Sequence, residues 1–264
     1  MGVINLSQRF LVQPQYPAPL KAEYAKSAQI FAPFNEQTGR DIAAGNNLVP
    51  GNSPTLVTRP HGKALSFNGS SNYLISSAAI TPGASFTVMA WVRAAATNSS
   101  YARIAETQYS DGFLLGTNSG SAYCFMVNPN SLDECSGGVQ TVGQRDFICG
   151  VFDGANRILY VNSVQVGYAS TAITAPTNAK TLYIATNFVA SANFWNGDID
   201  GVGVFNRAFS AAEINKIREP WDLLQAPARR IFITAAAAPG GSNMFSFNPP
   251  MRGGMRQGGG FFQG

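Results

Sequence analysis

Apolar and polar residues alternate in short runs along the middle of the chain, a pattern that predicts β-strands. The run SFTVMAWVRA has an apolar face made of Phe86, Val88, Ala90 and Val92. Its other face is mixed, with Thr87, Met89, Trp91 and Arg93. We therefore predict a strand that is buried on one side and partly covered on the other.

The run RILYVNSVQVGY places Asn162 and Ser163 between two β-rich segments, which predicts a tight hairpin. The preceding FDGAN supplies an Asp-Gly turn, and KALSFNGSSNYLIS and TLYIATN predict further short strands between turns rich in Gly and Asn. Many short strands with little helix predict an all-β fold, an antiparallel jelly-roll sandwich of two sheets.

One helix is predicted near the end of this region. Ser210 and Glu213 have the spacing of a capping box, in which each side chain bonds to the other residue's backbone N–H. Ile214 and Ile217 then fall on one helix face, and Pro220 prevents continuation. The helix is therefore short and closes the β domain.

The two ends differ from the body in composition. Residues 1–26 contain three prolines within six positions, which predicts an extended arm, and residues 218–264 are rich in Pro, Gly and isolated aromatics, as in a docking tail. The body, residues 27–217, forms the single large domain that a chain of this length allows.

Charge and the cysteines exclude several classes of protein. The net charge of +4 lies at the ends, since residues 1–26 give +2, residues 218–264 give +3, and the remainder gives −1. The tail has too few charges for strong nucleic-acid binding. Three cysteines without CxxC spacing argue against zinc and a disulfide framework, so we expect reduced, packed thiols, and a Cys124–Cys135 pair stays an open alternative.

The chain shows neither a signal-peptide pattern nor the run of about 18 apolar residues that a membrane span needs. We therefore expect a soluble protein that is made and kept in a cytoplasm, without a membrane partner. Its charged fraction of 12% is about half the usual share and favours turns and sheet over salt-bridged surface helices.

Four stretches together resemble the laminin G-like, concanavalin A-type jelly roll. They are AQIFAPFNEQTG, GKALSFNGSSNYLIS, SFTVMAWVRA, and FDGANRILYVNSVQV followed by FWNGDIDGVGVFNRAFSAAEI, and they span about residues 27–217. The resemblance implies that Asp200 starts the closing strand. Alternation then predicts one face with Ile199, Gly201, Gly203 and Phe205, and another with Val202 and Val204.

Catalysis is the least favoured function. Glycosidases need two carboxyl groups about 5 to 10 Å apart, and the Glu-x-Asp-x-Glu strand of related jelly-roll glucanases does not occur here. Asp198 and Asp200 share only strand spacing, and His61, the one histidine, has no motif around it. We predict no catalytic residues, and a glycoside hydrolase is the weakest alternative.

Calcium is the one cofactor that the resemblance suggests. Laminin G-like modules often bind Ca²⁺ through oxygen ligands. The acidic positions of the family's motif fall here on the neutral Asn68 and Asn72, which leaves Asp200 as the chief anion. Asn72 and Asp200 are therefore weak calcium candidates.

Sugar binding, the family's best-known use, would need aromatic platforms in loops. Tyr101, Tyr109 and Trp195 are the candidates, mainly in the loops around residues 97–111 and 128–145. The favoured alternative is that Trp91 and Trp195 belong to the core and that the tyrosines are ordinary loop residues.

The tail run REPWDLLQAPARRIFITAAAAP resembles the segment that follows laminin G-like domains in many bacteriophage structural proteins. This implies docking onto a neighbouring subunit, with a solvated linker as the alternative. The predicted partner-docking residues are Trp221, Leu224, Arg229, Arg230, Phe232, Phe245 and Phe247.

The leading hypothesis is a non-enzymatic bacteriophage virion protein, displayed on the particle as capsid decoration or a head fibre and anchored by its arms to major capsid or tail proteins. A homo-oligomer is compatible with it. The alternative is a glycan-binding adhesion module of a tail or fibre, with a cell-surface glycan as the partner.

Overall fold

The computed structural model describes residues 21–34, 39–98, 101–108, 110–119, 121–128, 134–170 and 172–218. These residues form fifteen strands and two short helices. The elements are α1 (Ala22–Ala25), β1 (Ala28–Pro33), β2 (Leu48–Asn52), β3 (Thr55–Arg59), β4 (Gly62–Asn68), β5 (Tyr73–Ser76), β6 (Phe86–Ala94), β7 (Arg103–Glu106), β8 (Phe113–Thr117), β9 (Ala122–Val127), β10 (Cys135–Val139), β11 (Arg145–Phe152), β12 (Arg157–Val161), β13 (Val164–Ala169), β14 (Tyr183–Ile184), β15 (Asn196–Phe205) and α2 (Ala211–Ile217).

The strands form two antiparallel sheets. The eight-stranded sheet has the order β13-β12-β11-β6-β15-β4-β3, with β1 also paired to β15, and the seven-stranded sheet has the order β10-β9-β8-β7-β14-β5-β2. Apolar side chains from both sheets share one buried cluster between them. The prediction of an all-β jelly-roll sandwich with a short C-terminal helix is confirmed.

Strand β6 lies in the middle of the eight-stranded sheet and is buried on both faces. Phe86, Val88, Ala90 and Val92 face the other sheet, as predicted. Met89 and Trp91 pack on the outer face against the buried Ile214 and Ile217 of α2. Most of the second face is therefore covered completely, more than the sequence pattern indicated, because α2 packs across the outside of the sheet.

Both local predictions near the end of the domain are confirmed. Asn162 and Ser163 join β12 to β13 with φ of 52° and 68°, the left-handed pair that a tight hairpin of this type requires. Ser210 caps α2, and the reciprocal bonds with Glu213 form the capping box.

A β-bulge at Asp200 corrects the predicted faces of β15. Ile199 pairs with Val92 and Gly201 pairs with Trp91, so Asp200 is an extra residue on β15. The bulge shifts the alternation, and Ile199 therefore joins Val202 and Val204 between the sheets. Phe205 lies instead in the outer cluster beside α2.

The sandwich closes along the edge formed by β10 and β13. A Cβ atom at Gly137 would lie 2.1 Å from the carbonyl oxygen of Val166, so only glycine permits this approach. Tyr123 of the seven-stranded sheet also donates a hydrogen bond of 2.9 Å from Oη to Asp146 of the eight-stranded sheet. These contacts fix the distance between the two sheets at this edge.

The described parts of the two ends are short. Residues 22–25, within the segment predicted to be extended, form the single turn α1, and Tyr24 packs on Phe209 with ring centroids 5.8 Å apart. The predicted docking residues lie outside the described residues, and the domain boundaries stay predictions. Those residues are Trp221, Leu224, Arg229, Arg230, Phe232, Phe245 and Phe247.

All three cysteines are buried, and no disulfide joins any two of them. On neighbouring strands Cys135 pairs with Phe125 and Cys124 pairs with Ser136, so the two thiols point to opposite faces of the sheet. Cys135 lies between the sheets, and Cys124 lies on the outer side with Leu114 and Met126. Cys124 and Cys135 therefore do not form a disulfide with each other.

Candidate functional site

Asp198 lies among arginines on the outer face of the eight-stranded sheet. Its carboxylate accepts hydrogen bonds from Nε and Nη2 of Arg59 at 2.7 and 3.2 Å, and from Nη1 of Arg93 at 3.4 Å. Arg59 ends β3 and Arg93 belongs to β6. Asp198 therefore links β15 to β3 and β6 through ion pairs.

Asp200 binds a different arginine. Its carboxylate accepts a hydrogen bond from Nε of Arg145, and both side chains are largely buried. Burial raises the pKa of Asp200, the nearby Asp198 raises it further, and Arg145 and His61 oppose the shift. His61 itself lies exposed in the turn between β3 and β4. The two aspartates thus have separate structural partners and do not form a paired-carboxylate site.

The two calcium candidates do not converge. Asn72 accepts a hydrogen bond from the backbone N–H of Asn68 at 3.1 Å and donates one to the carbonyl of Ser53 at 2.9 Å. Asn68 pairs with Asn196, which precedes Asp200 by four strand residues, about 13 Å at ~3.3 Å per residue. Within the described ranges, no group of three or more His, Cys, Asp and Glu side chains could hold a metal ion.

The aromatic candidates have different positions. Trp195 is wholly buried between the sheets, so its ring cannot stack on a sugar, and its assignment as a glycan platform is wrong. Tyr101 is 37% exposed, and the guanidinium carbon of Arg103 lies 5.7 Å from its ring centroid. Tyr109 lies outside the described residues.

Next to Tyr101, on the outer face of the seven-stranded sheet, a second β-bulge brings two charged side chains together. Arg103 pairs with Gly116 and Ala105 pairs with Leu115, so Ile104 is the extra residue. Arg103 and Glu106 therefore share one face, and Nε of Arg103 donates to Glu106 at 2.5 Å. Burial raises the pKa of Glu106, and Arg103 and the Phe188 backbone N–H oppose that shift.

The loop formed by residues 185–195 follows β14, bonds to the backbone of β7 and has a constrained backbone. Trp195 N–H donates to the carbonyl of Ala185 at 3.0 Å, and Arg103 N–H donates to the carbonyl of Asn193 at 2.8 Å. Ala185, Ala190 and Asn193 have φ of 64°, 54° and 57°, a region that non-glycine residues rarely adopt. Such conformations concentrate at binding sites, so the surface beside this loop is a candidate binding site.

An open cleft of about 340 Å³ lies beside the 185–195 loop. Tyr183 pairs with Glu106 on β7 and so stands on the same outer face. Lys180 forms an isolated bridge with Ile80, which fixes its backbone at the wall of the cleft. The lining residues are Ala79, Thr107, Gln108, Ala179, Lys180, Thr181, Tyr183 and Phe188.

This cleft combines polar groups with aromatic surface. Among the lining residues, Lys180 has an ammonium group, Gln108 an amide and Tyr183 a phenol, and Phe188 and Tyr183 have aromatic rings. A concave site with a few polar groups between aromatic side chains is suited to binding a small polar ligand. None of the described lining residues carries a carboxylate.

The sequence predicted a binding loop around residues 97–111, and Gln108 of that loop lines the cleft. The sequence did not indicate Lys180, Tyr183 or Phe188, since they fall in separate short segments without a recognisable motif. The segment TLYIATN predicted a strand, but it did not indicate that Tyr183 would lie on the outer face of the sheet. Only the pairing of β14 with β7 brings these residues to one cleft.

The family model described as the Concanavalin A-like lectin/glucanases superfamily, a laminin G-like model, matches residues 67–215. This match covers more than half of the chain, which therefore belongs to that family.

Solved structures with the same fold include domains of larger proteins. Domain 4 of AbnA, a GH43 extracellular arabinanase from Geobacillus stearothermophilus in complex with arabinotriose, has a TM-score of 0.60 at 13% identity, covering 73% of this chain and 98% of that one. The binding domain of botulinum neurotoxin DC, in complex with rat synaptotagmin II, has a TM-score of 0.55 at 14% identity, covering 76% and 52%.

Trypanosoma rangeli sialidase in complex with sialic acid has a TM-score of 0.57 at 12% identity and covers 76% of this chain, which spans only 34% of the sialidase. At these identities the likeness concerns the fold alone. A search of curated proteins finds no match. In the part of the chain that the structure describes, no helix has the length and apolar character of a membrane span.

Proposed function

We propose that this chain is a non-enzymatic glycan-binding module whose binding site is the cleft beside the 185–195 loop. The observation that supports the proposal is the lining of the cleft, where an amide, a phenol and an ammonium surround a recess with two aromatic rings. Sugar hydroxyl groups accept and donate hydrogen bonds, and the C–H faces of sugars pack on aromatic rings. The lining provides both kinds of contact.

The structural likenesses are compatible with this proposal. Domain 4 of the arabinanase, which the chain covers almost completely, was solved in complex with arabinotriose. The botulinum neurotoxin neighbour is itself a binding domain. A module that binds a ligand without converting it fits both kinds of neighbour.

A catalytic role has less support from the side chains. Asp198 is held by Arg59 and Arg93, and Asp200 is held by Arg145, on the sheet opposite to the cleft. Glu106, which pairs with the lining residue Tyr183, is bound to Arg103. We therefore expect a bound glycan to be recovered unchanged after prolonged incubation.

The test is a glycan array probed with the full chain, followed by titration calorimetry with the best ligand. Tyr183→Ala and Gln108→Ala should each weaken binding about tenfold, because each removes one contact worth about 1 kcal/mol or more. Tyr168→Ala is the matched control, since Tyr168 is an exposed tyrosine on β13 in the other sheet. An array without any signal, or equal losses for Tyr168 and Tyr183, would refute the proposal.

We further propose that the module belongs to a bacteriophage particle. This rests on the tail run REPWDLLQAPARRIF, which resembles the segment that follows laminin G-like domains in phage structural proteins. The two roles are compatible, since a particle protein anchored by its arms could expose the cleft to a cell-surface glycan. Capsid decoration and tail or fibre attachment are the two locations that we consider.

Mass spectrometry of purified heads and tails tests the particle role. Many copies in heads would indicate decoration, and few copies in tails would indicate adhesion. The protein lacking residues 218–264 should fail to join particles if the tail is the anchor. Normal incorporation of the truncated protein would contradict the docking role of the tail.

A further inference from the structure

The lining of the cleft beside the 185–195 loop has a net positive charge. Among the eight described residues that line it, Lys180 is the only charged one. Two acids close to this lining have other partners: Glu106 is paired with Arg103, and the carboxylate of Asp111 accepts hydrogen bonds from the backbone N–H groups of Thr177 and Asn178 at 2.7 and 3.1 Å. The described part of the cleft wall therefore carries one ammonium group and no carboxylate.

The position of Lys180 is fixed by its backbone. Its N–H donates to the carbonyl of Ile80 at 2.9 Å, and its carbonyl accepts from the N–H of Ile80 at 2.8 Å. The residue is half-buried, and its ammonium forms no ion pair within 4 Å in the described parts of the chain. Burial raises the pKa of Asp111, while the hydrogen bonds from Thr177 and Asn178, and to a smaller extent the charge of Lys180, lower it.

A cation at the wall of a semi-enclosed recess selects its ligand by charge. An ammonium that hydrogen-bonds to an anion contributes roughly twice as much as a bond between neutral groups. The neutral donors and acceptors of Gln108 and Tyr183 are suited to hydroxyl groups, and the ring of Phe188 is suited to an apolar face. A ligand that satisfies all of these groups has hydroxyls, a ring and one negative charge.

We infer that the ligand of this cleft is an anionic saccharide, in which a carboxylate or sulfate group binds to Lys180. This inference rests on the proposed glycan-binding function and specifies the class of its ligand. Neutral sugars of the same shape should bind more weakly, because they offer no negative charge to the ammonium of Lys180.

The experiment compares three matched tetrasaccharides by titration calorimetry with the full chain. One contains a glucuronate, the second is the same molecule after reduction of its carboxyl group, and the third bears a sulfate on the reduced form. Reduction of the carboxyl group should weaken binding about tenfold or more. Lys180→Met should remove this preference, and Lys180→Arg should retain most of it. Lys63→Met, on β4 of the other sheet, is the control and should behave like the unmodified protein.

The outcomes separate this inference from the function on which it rests. Tighter binding of either the carboxylated or the sulfated form, lost in Lys180→Met, supports the inference and identifies the anion. Equal binding of all three forms overturns the inference, while glycan binding itself stands. If no saccharide binds here or on the array, the proposed function fails and the inference fails with it.

Discussion

Asp200 and Arg145 form a largely buried ion pair on the outer face of the eight-stranded sheet, at the bulge in β15. Burial still raises the pKa of Asp200, so the arginine does not fully offset the loss of solvation. The pair therefore holds β15 and β11 in a defined arrangement without contributing much net stability.

Removing one partner of this pair should destabilise the fold. Arg145→Met should lower the free energy of unfolding by about 3 kcal/mol, because the carboxylate of Asp200 stays largely buried without its guanidinium partner. The measurement is urea denaturation at pH 7. The double variant Asp200→Asn with Arg145→Met should be more stable than Arg145→Met alone, since it also removes the buried carboxylate charge. A double variant that is less stable than the single variant would disagree with this account.

Glu106 should give the protein a distinctive pH dependence. Burial raises the pKa of Glu106 in the folded state, above the unfolded value of about 4.3. The folded protein therefore binds this proton more tightly. Its stabilising effect is present at low pH and is lost as the pH rises from about 4.3 through the folded pKa.

The variant Glu106→Gln should not show this loss of stability with rising pH, because a glutamine side chain does not titrate. The free energy of unfolding of the unmodified protein, minus that of the variant, should therefore fall as the pH rises from about 4 towards neutrality. Urea denaturation of both proteins at several pH values between 4 and 7 measures the difference. A difference that is constant, or that rises with pH, would show that the carboxyl group does not behave in this way.

The capping box of α2 should be measurable by a single substitution. Ser210→Ala removes the hydroxyl that accepts from Glu213 N–H, and should cost about 1 kcal/mol in the free energy of unfolding. Asn215→Ala is the control, because Asn215 is exposed within the same helix and alanine is the better helix former. Its stability should be unchanged or slightly higher. Equal losses in both variants would argue against the cap.

The hairpin between β12 and β13 offers a stabilising change. Ser163 has φ of 68°, a conformation that glycine adopts without a steric penalty. Ser163→Gly should therefore raise the thermal midpoint, by an amount equivalent to about 0.5 kcal/mol or more. Ser53→Gly, in an exposed turn with negative φ, should lower it. Calorimetry of the two variants checks the opposite signs.

Local patterns in the sequence were sufficient for much of the fold. The alternation in SFTVMAWVRA, the Asn162-Ser163 turn and the Ser210–Glu213 box each depend on neighbours within a few residues, and all three occur as predicted. The resemblance to a known family then predicted the two-sheet sandwich, because the order of these strands and turns along the chain matches the order in that family.

The candidate site was decided by contacts between distant segments. A bulge moved Asp200 out of register, and another placed Arg103 and Glu106 on one face. Trp195 entered the core, while Lys180 and Tyr183, which belong to no motif, came to line the cleft. The sequence determined which residues favour strands, turns and the helix cap, because these preferences are local. Tertiary structure alone decided which side chains meet, because strand pairing and bulges join residues that are far apart in the chain.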